Sequence, residues 1–301
     1  MNATPPLLEA RAPAKLNLCL YVGPHRPDAR HEICSIFQPV TLADRLVVRP
    51  GHGEDEVLCQ GLEGPNLAAE ALAAFRARFG WDGPPVRLEI EKLIPVAAGL
   101  GGGSADAGAA LRLAIAASGI RPPQADLVDL ALWLGADVPS QLEPATALVC
   151  GAGERVEPVA GGVRLAALLL AEQGALDAGT VYSRADDLGA ARSELGEEER
   201  RVRAALAAAG GDALALAPVL QNDLQAAAVD LEPAAADALR MLREQGAFAQ
   251  LVSGSGPAAF GLFQSEDDAE LARAALAQRW PGSALVVKAA PAGYADVRPS
   301  A

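Results

Sequence analysis

The chain has 301 residues, 51% hydrophobic and 21% charged, a balance that excludes disordered and collagen-like architectures. Its 25 Lys and Arg against 38 Asp and Glu leave a net charge of −13, which opposes nonspecific attraction to nucleic acid or an anionic membrane. No apolar run nears the roughly 18 residues of a membrane span, and Met1 to Lys15 lacks the charged-then-apolar order of a signal segment, so the expectation is a cytoplasmic protein.

From the amino end, Leu16, Leu18 and Leu20 alternate with Lys15, Asn17, Cys19 and Tyr21, a period of two that predicts a half-buried strand with Lys15 and Asn17 on one face. The run His25-Arg26-Pro27-Asp28-Ala29-Arg30-His31 is locally basic and is the candidate contact for an anion. Strands are expected at 33–42, 45–49, 56–60 and 86–91, and helices after the N-caps Asn66 and Ser104 and over 124–134. Gly135 then stops the helix, and Val138-Pro139 is expected to keep the chain from re-entering one, leaving Asp137 in a short loop.

Gly151-Ala152-Gly153 and Gly161-Gly162 interrupt the pattern, which places a boundary near 162: one domain over 1–162 and another over 163–301. The second reads strand 165–171, helices within 197–245, strands 248–252 and 258–263, helix 267–279 and strand 284–289. With the 232–245 helix following the first strand, this is the β-α-β-β-α-β order of ferredoxin-like domains. The four Cys, at 19, 34, 59 and 150, form no CxxC pair and no zinc pattern, and read as buried free thiols.

Chemistry concentrates in Pro95-Val96-Ala97-Ala98-Gly99-Leu100-Gly101-Gly102-Gly103-Ser104-Ala105-Asp106, between a strand and a helix. Successive glycines let backbone amides close on an anion, and the helix adds free N–H groups and the positive end of its dipole. This predicts a phosphate cradle; a plain connector would need only one or two glycines. None of the three Lys (15, 92, 288) follows a Gly, which excludes a Walker A loop, and the preceding antiparallel-looking strands disfavour a dinucleotide fold. Lys15 reads either as a working cation or as a solvated one. Asp137 reads as a carboxylate feeling the negative end of the preceding helix or as a turn former, and Ser253-Gly254-Ser255-Gly256 as a hairpin turn or a ligand loop.

Taken in order, these segments resemble the small-molecule kinases of the galactokinase, homoserine kinase, mevalonate kinase and phosphomevalonate kinase superfamily. The matching pieces are Pro13 to Leu18, Asp28 to His31, Phe37-Gln38, Asn66-Leu67, Pro95 to Ala107, Leu134 to Pro139, Asn222 to Leu224 and Ser253 to Gly256. Within the superfamily, Pro-Ala-Lys-Leu-Asn-Leu and Gly-Ala-Asp-Val-Pro are most similar to the branch whose acceptor is a cytidine diphosphate-linked methylerythritol. The resemblance implies an α+β fold of two domains, a mixed-sheet ATP-binding domain and a ferredoxin-like one, with the catalytic cleft between them. It implies transfer of the ATP γ-phosphate, with Mg²⁺, to the acceptor's 2-hydroxyl in the non-mevalonate route to isoprenoid precursors.

By the same resemblance Asp137 is the catalytic base and Lys15 the polarising cation. Asn66, Pro95, Gly99, Leu100, Gly101, Gly102, Gly103, Ser104 and Ala105 would hold ATP, and Asn17, His31, Phe37 and Tyr182 the acceptor, while the Mg²⁺ ligands stay unassigned. The expected partners are these two small molecules, with the chain a monomer or a weak homodimer. Relatives commonly carry Asp-Gly-Tyr-His where this chain has Asp28-Ala29-Arg30-His31, so an Arg stands where a Tyr could stack on cytosine. The alternatives are another acceptor of the superfamily (homoserine, mevalonate or a sugar) and a noncatalytic nucleotide sensor.

Overall fold

In the computed structural model, which describes residues 7–62, 64–171 and 174–300, the alternation around Leu16 belongs to a much longer strand. The first six residues of the Met1–Lys15 stretch lie outside the described residues. Strands β1 (Leu8–His25) and β2 (His31–Pro50) form one long antiparallel hairpin. The sequence suggested a break in β2 between Leu42 and Arg45, but pairing continues through Ala43 and Asp44, opposite Pro13 and Ala12. The polar Asp44 is tolerated there because its carboxylate accepts the Leu93 and Ile94 amides and Lys92 Nζ.

The chain then runs through β3 (Glu56–Cys59), α1 (Leu67–Phe79), β4 (Val86–Glu91), α2 (Gly102–Ser118), α3 (Gln124–Leu134), α4 (Val138–Leu142), β5 (Ala147–Gly151) and β6 (Arg155–Pro158). Its second part holds β7 (Ala166–Ala171), α5 (Ala178–Asp187), α6 (Gly196–Ala208), a 3₁₀ segment Ala213–Val219, α7 (Gln225–Leu231), α8 (Ala234–Glu244), β8 (Ala249–Val252), β9 (Ala259–Phe263), α9 (Glu266–Leu276), β10 (Ser283–Lys288) and β11 (Arg298–Pro299). One sheet has the path β11-β1-β2-β4-β3, with β5 on β2 and β6 on β5; it is mixed, because β3 and β4 alone run parallel. The other, β10-β7-β9-β8, is antiparallel and carries the expected β7-α8-β8-β9-α9-β10 order. The α+β expectation holds, and the last strand leaves the second sheet to pair with β1.

Asn66 caps α1 as its residue type predicts, its side chain accepting from the Ala68 and Ala69 amides, and Gly80 closes the helix in the left-handed region at φ 66°. Two local expectations fail. Helix α2 starts at Gly102, two residues before the Ser104 N-cap, so the last glycines already donate free helical N–H groups. Beyond Gly135 the chain does re-enter a helix, α4, because proline in a first turn gives up only an N–H that would lack a partner there. Strands β5 and β6 and helices α4 and α5 were not anticipated. Each is five residues or shorter, apart from the ten-residue α5.

The core is continuous between the sheets: Leu16, Leu18 and Ile36 of the first pack in one buried cluster with Ala167, Leu169, Phe260 and Leu262 of the second. None of the helices among the described residues is long and apolar enough to cross a membrane.

Candidate active site

Between the sheets opens a cavity of about 830 Å³. Its walls bring together Lys15 and Asn17 of β1, His31 and Phe37 of β2, Gly99, Gly101 and Ser104 of the glycine-rich loop, Asp137, and Tyr182 of α5.

Lys15 is 4% exposed, which rules out the solvated-cation reading. Its Nζ lies 3.6 Å from Asp137 Oδ2, donates to Asn17 Oδ1 and sits 5.0 Å from the centre of the Phe37 ring. Asn17 in turn donates to Ser35 Oγ at 2.9 Å, so the amide that steadies the cation is itself held. Register shifts on both sides of this pair, between Pro13 and Lys15 and between Asn17 and Cys19, mark local bulges, which re-aim side chains on a strand. The Lys15 amide donates to the Leu100 carbonyl at 3.0 Å, tying the strand to the loop.

Asp137 is the N-cap residue of α4, with no capping bond from its side chain. It thus lies between the end of α3 and the start of α4, and its carboxylate faces Lys15.

The loop needs its glycines by contact as well as by conformation. Gly99 has φ +79°, and a Cβ there would lie 2.0 Å from the Ser253 carbonyl oxygen. Gly254, at φ +56°, would place a Cβ 3.1 Å from both Asn17 Oδ1 and Lys15 Nζ. The Ser253–Gly256 segment is thus more than a hairpin turn: Ser253 Oγ donates to the Gly99 carbonyl, Asn222 Nδ2 donates to the Val252 and Gly254 carbonyls, and Gly254 and Ser255 line the cavity. Of the two readings of Ser253–Gly256, a hairpin turn or a ligand loop, the contacts favour the second, while Asn222 has no site role on sequence grounds, because an isolated Asn carries no chemical signal alone.

Other expected residues lie off the cavity wall. Asn66 spends its side-chain oxygen on the α1 cap, and Pro95, Leu100, Gly102, Gly103 and Ala105 do not line the cavity. Behind the loop is a buried cluster that the sequence did not reveal: Lys92 Nζ bridges Asp44 and Asp106, the latter at 2.7 Å. Burial first, aided by the Asp44 charge and opposed by Lys92, pushes the Asp106 carboxyl up to about 7. For Lys92, burial works against the charge but the two carboxylates outweigh it and raise its pKa.

At the far end His31 stacks on Tyr182 with ring centres 5.2 Å apart. Burial, and secondarily the Asp137 charge, push the Tyr182 phenol above its ordinary value, which keeps it a neutral hydroxyl. The run 25–31 is less basic than its letters suggest. Arg26 is neutralised by Asp28, Glu32 and Glu154, and His25 and His31 share Asp186, leaving Arg30 on the cavity wall.

The chain matches the family models described as GHMP kinases N terminal domain over residues 66–145 and GHMP kinases C terminal over 202–282. It is 38% identical over 273 residues to the 4-diphosphocytidyl-2-C-methyl-D-erythritol kinase of Streptomyces avermitilis, covering 88% of this chain and 91% of that one. To the protein of the same name from Anaeromyxobacter dehalogenans it is 40% identical over 285 residues, 92% of this chain and 87% of that one. The chain belongs to the 4-diphosphocytidyl-2-C-methyl-D-erythritol kinase family. A crystal structure of a kinase of this name superposes with TM-score 0.74 at 36% identity, over 93% of this chain and 98% of that one. Mevalonate kinase from L. major, at 15% identity and TM-score 0.69, shares the fold. As a member of the methylerythritol kinase family the chain is a phosphotransferase with ATP as co-substrate, and the two-domain α+β expectation stands.

Proposed function

We propose that the chain transfers the γ-phosphate of ATP to the 2-hydroxyl of 4-diphosphocytidyl-2-C-methyl-D-erythritol, a step in making isoprenoid precursors by the non-mevalonate route. The observation that carries this is the pairing of buried Lys15 with the partly exposed Asp137, 3.6 Å apart, on the wall of one cavity that also holds the glycine-rich loop and the aromatic and imidazole groups. A cavity near the upper end of the usual small-molecule range suits two substrates meeting end to end.

In this reading Asp137 accepts the proton of the acceptor hydroxyl as its oxygen forms the new bond to the γ-phosphorus. The bond from that phosphorus to the bridging oxygen breaks, and ADP leaves. Lys15, steadied by Asn17, neutralises the charge spread over the phosphoryl oxygens, and the loop amides and the amino end of α2 hold the phosphates. His31, Phe37 and Tyr182 receive the acceptor, and Arg30 supplies a planar cation able to stack on a base where relatives have Tyr. Asn66 is kept as the candidate adenine-side contact and Pro95 as a further candidate contact to ATP. Mg²⁺ takes oxygen ligands, one or two from protein and the rest from phosphate and water, and Ser104 and Asp137 are oxygen donors of that type on the cavity wall. When bound, the ion would offset phosphate charge. The division into 1–162 and 163–301 is kept as part of this proposal, with Gly161-Gly162 as the segment for limited proteolysis to probe.

ADP release with Mg-ATP is to be compared for 4-diphosphocytidyl-2-C-methylerythritol, mevalonate, homoserine and galactose, with the product checked by mass. Turnover with the cytidine compound alone supports the reading, and turnover with another acceptor alone overturns it. Lys15→Ala and Asp137→Ala should each stay folded and lose at least about 10²-fold in kcat, the size of a lost electrostatic or acid–base partner. Near-normal turnover by Asp137→Ala would remove it from the base role.

A further inference from the structure

At the end of the cavity away from the glycine loop, three side chains converge from three elements: His25 from the end of β1, His31 from the start of β2 and Asp186 from α5. His25 Nε2 lies 2.9 Å from Asp186 Oδ2, and His31 Nε2 lies 2.9 Å from Asp186 Oδ1. The two imidazole centres are 3.9 Å apart, and the three ligating atoms all fall within 4.8 Å of one another. Among the described residues Asp186 has no Arg or Lys partner, because Arg26 is taken by Asp28, Glu32 and Glu154. One carboxylate thus serves two imidazoles with no fixed cation beside it.

We propose that His25, His31 and Asp186 form a binding site for a divalent transition-metal ion of the zinc type, with its remaining position open to the cavity. Zinc holds imidazole nitrogen and carboxylate oxygen at about 2.0–2.2 Å in tetrahedral sites, which puts neighbouring ligand atoms about 3.3 Å apart, so shifts of about an ångström would close the set. His25, with 63% of its side chain exposed, is free to make such a shift, while Tyr182 backs the His31 ring. Two imidazoles with one carboxylate suit zinc, cobalt or nickel and not magnesium, which demands oxygen ligands, so this site is chemically separate from any ion accompanying ATP. The ion would fasten α5 to the β1–β2 hairpin across the acceptor end. It would therefore inhibit by raising the KM for the acceptor, a consequence that rests on the function proposed above.

The test is zinc titration of the full chain against a chromophoric chelator, alongside His25→Ala and Asp186→Asn. The expected result is one zinc per wild-type chain, with affinity at least about 10-fold weaker in each variant, and a visible cobalt spectrum of low-coordinate type that both variants lose. Zinc affinity equal in wild type and both variants would overturn the proposal, as would a zinc-bound wild type whose cobalt form shows only a cysteine-ligand spectrum. None of these readouts requires turnover, so they stand whether or not the acceptor is correctly named. In the kinetic arm, zinc inhibition should be relieved by added acceptor and by His25→Ala; inhibition relieved by ATP instead would place the ion elsewhere.

Discussion

The two ends of the cavity are built differently. Around Gly99 the wall is main chain, closed against the Ser253–Gly256 segment so tightly that a single added methyl collides. Around His31 it is side chain, with His25 of β1, His31 of β2, and Tyr182 and Asp186 of α5 all converging there. A main-chain wall offers the same N–H groups whatever the neighbouring side chains, and so suits a phosphate. A wall of side chains can be retuned by single substitutions, and so suits recognition of the acceptor.

If this contrast is right, substitutions at the two ends should fail in different ways. The largest effect belongs to Gly99→Ala. Its positive φ and the 2.0 Å approach to the Ser253 oxygen force the loop off that segment, and kcat/KM for ATP should fall at least about 10²-fold in steady-state assays. Gly103→Ala is the control: a Cβ there meets nothing within 4 Å, so thermal stability should be unchanged or rise by up to about 1 kcal/mol. Equal damage by the two would break the claim that packing fixes the loop.

At the other end, Asp186→Asn keeps the shape and removes the charge shared by the two imidazoles. Loss of a charged hydrogen bond corresponds to roughly 1.5–3 kcal/mol, so the KM for the acceptor should rise about 10- to 10²-fold with the KM for ATP unchanged. A rise confined to ATP would join the two ends into one site and remove the contrast.

A separate effect, on stability, lies behind the loop. The folded chain keeps a proton on Asp106 between the carboxyl's ordinary 3.8 and about 7, where the unfolded chain has lost it. Its contribution to stability is therefore fullest below that window, falls as pH rises through it and is level above. Thermal melts across this range should show wild type losing stability relative to Asp106→Asn as pH rises; parallel curves would show that Asp106 titrates normally.

The same contrast explains what the sequence disclosed. A main-chain site is contiguous in the chain, so Pro95 to Asp106 declared it directly, and the β-α-β-β-α-β order followed from the spacing of apolar runs. Lys15 and Asn17 were legible as same-face neighbours, although not their burial, which depends on the second sheet covering them. Asp186 was invisible because nothing in its own segment distinguishes it; it matters only where α5 meets two histidines more than 150 positions away, at 155 and 161 residues' separation. The turn at Asp137 was misread because proline was treated as a barrier to helix when it is equally a start. The Lys92 cluster was hidden for a related reason, its three members lying 48 and 14 residues apart.

The first sheet is also bonded along two lines to chain segments outside it. On one, the Leu20 amide donates to the Gln221 carbonyl at 2.7 Å and the Asp223 amide to the Leu20 carbonyl at 2.9 Å. On the other, the Ala290 amide donates to the Pro39 carbonyl at 2.9 Å and Tyr294 Oη to the Thr41 carbonyl at 2.6 Å. Among the described residues these bonds and one shared core would have to break for the two sheets to part, so they are expected to stay together during turnover. Substrates would have to exchange through the cavity mouth, and the radius of gyration in small-angle scattering should be the same with and without them.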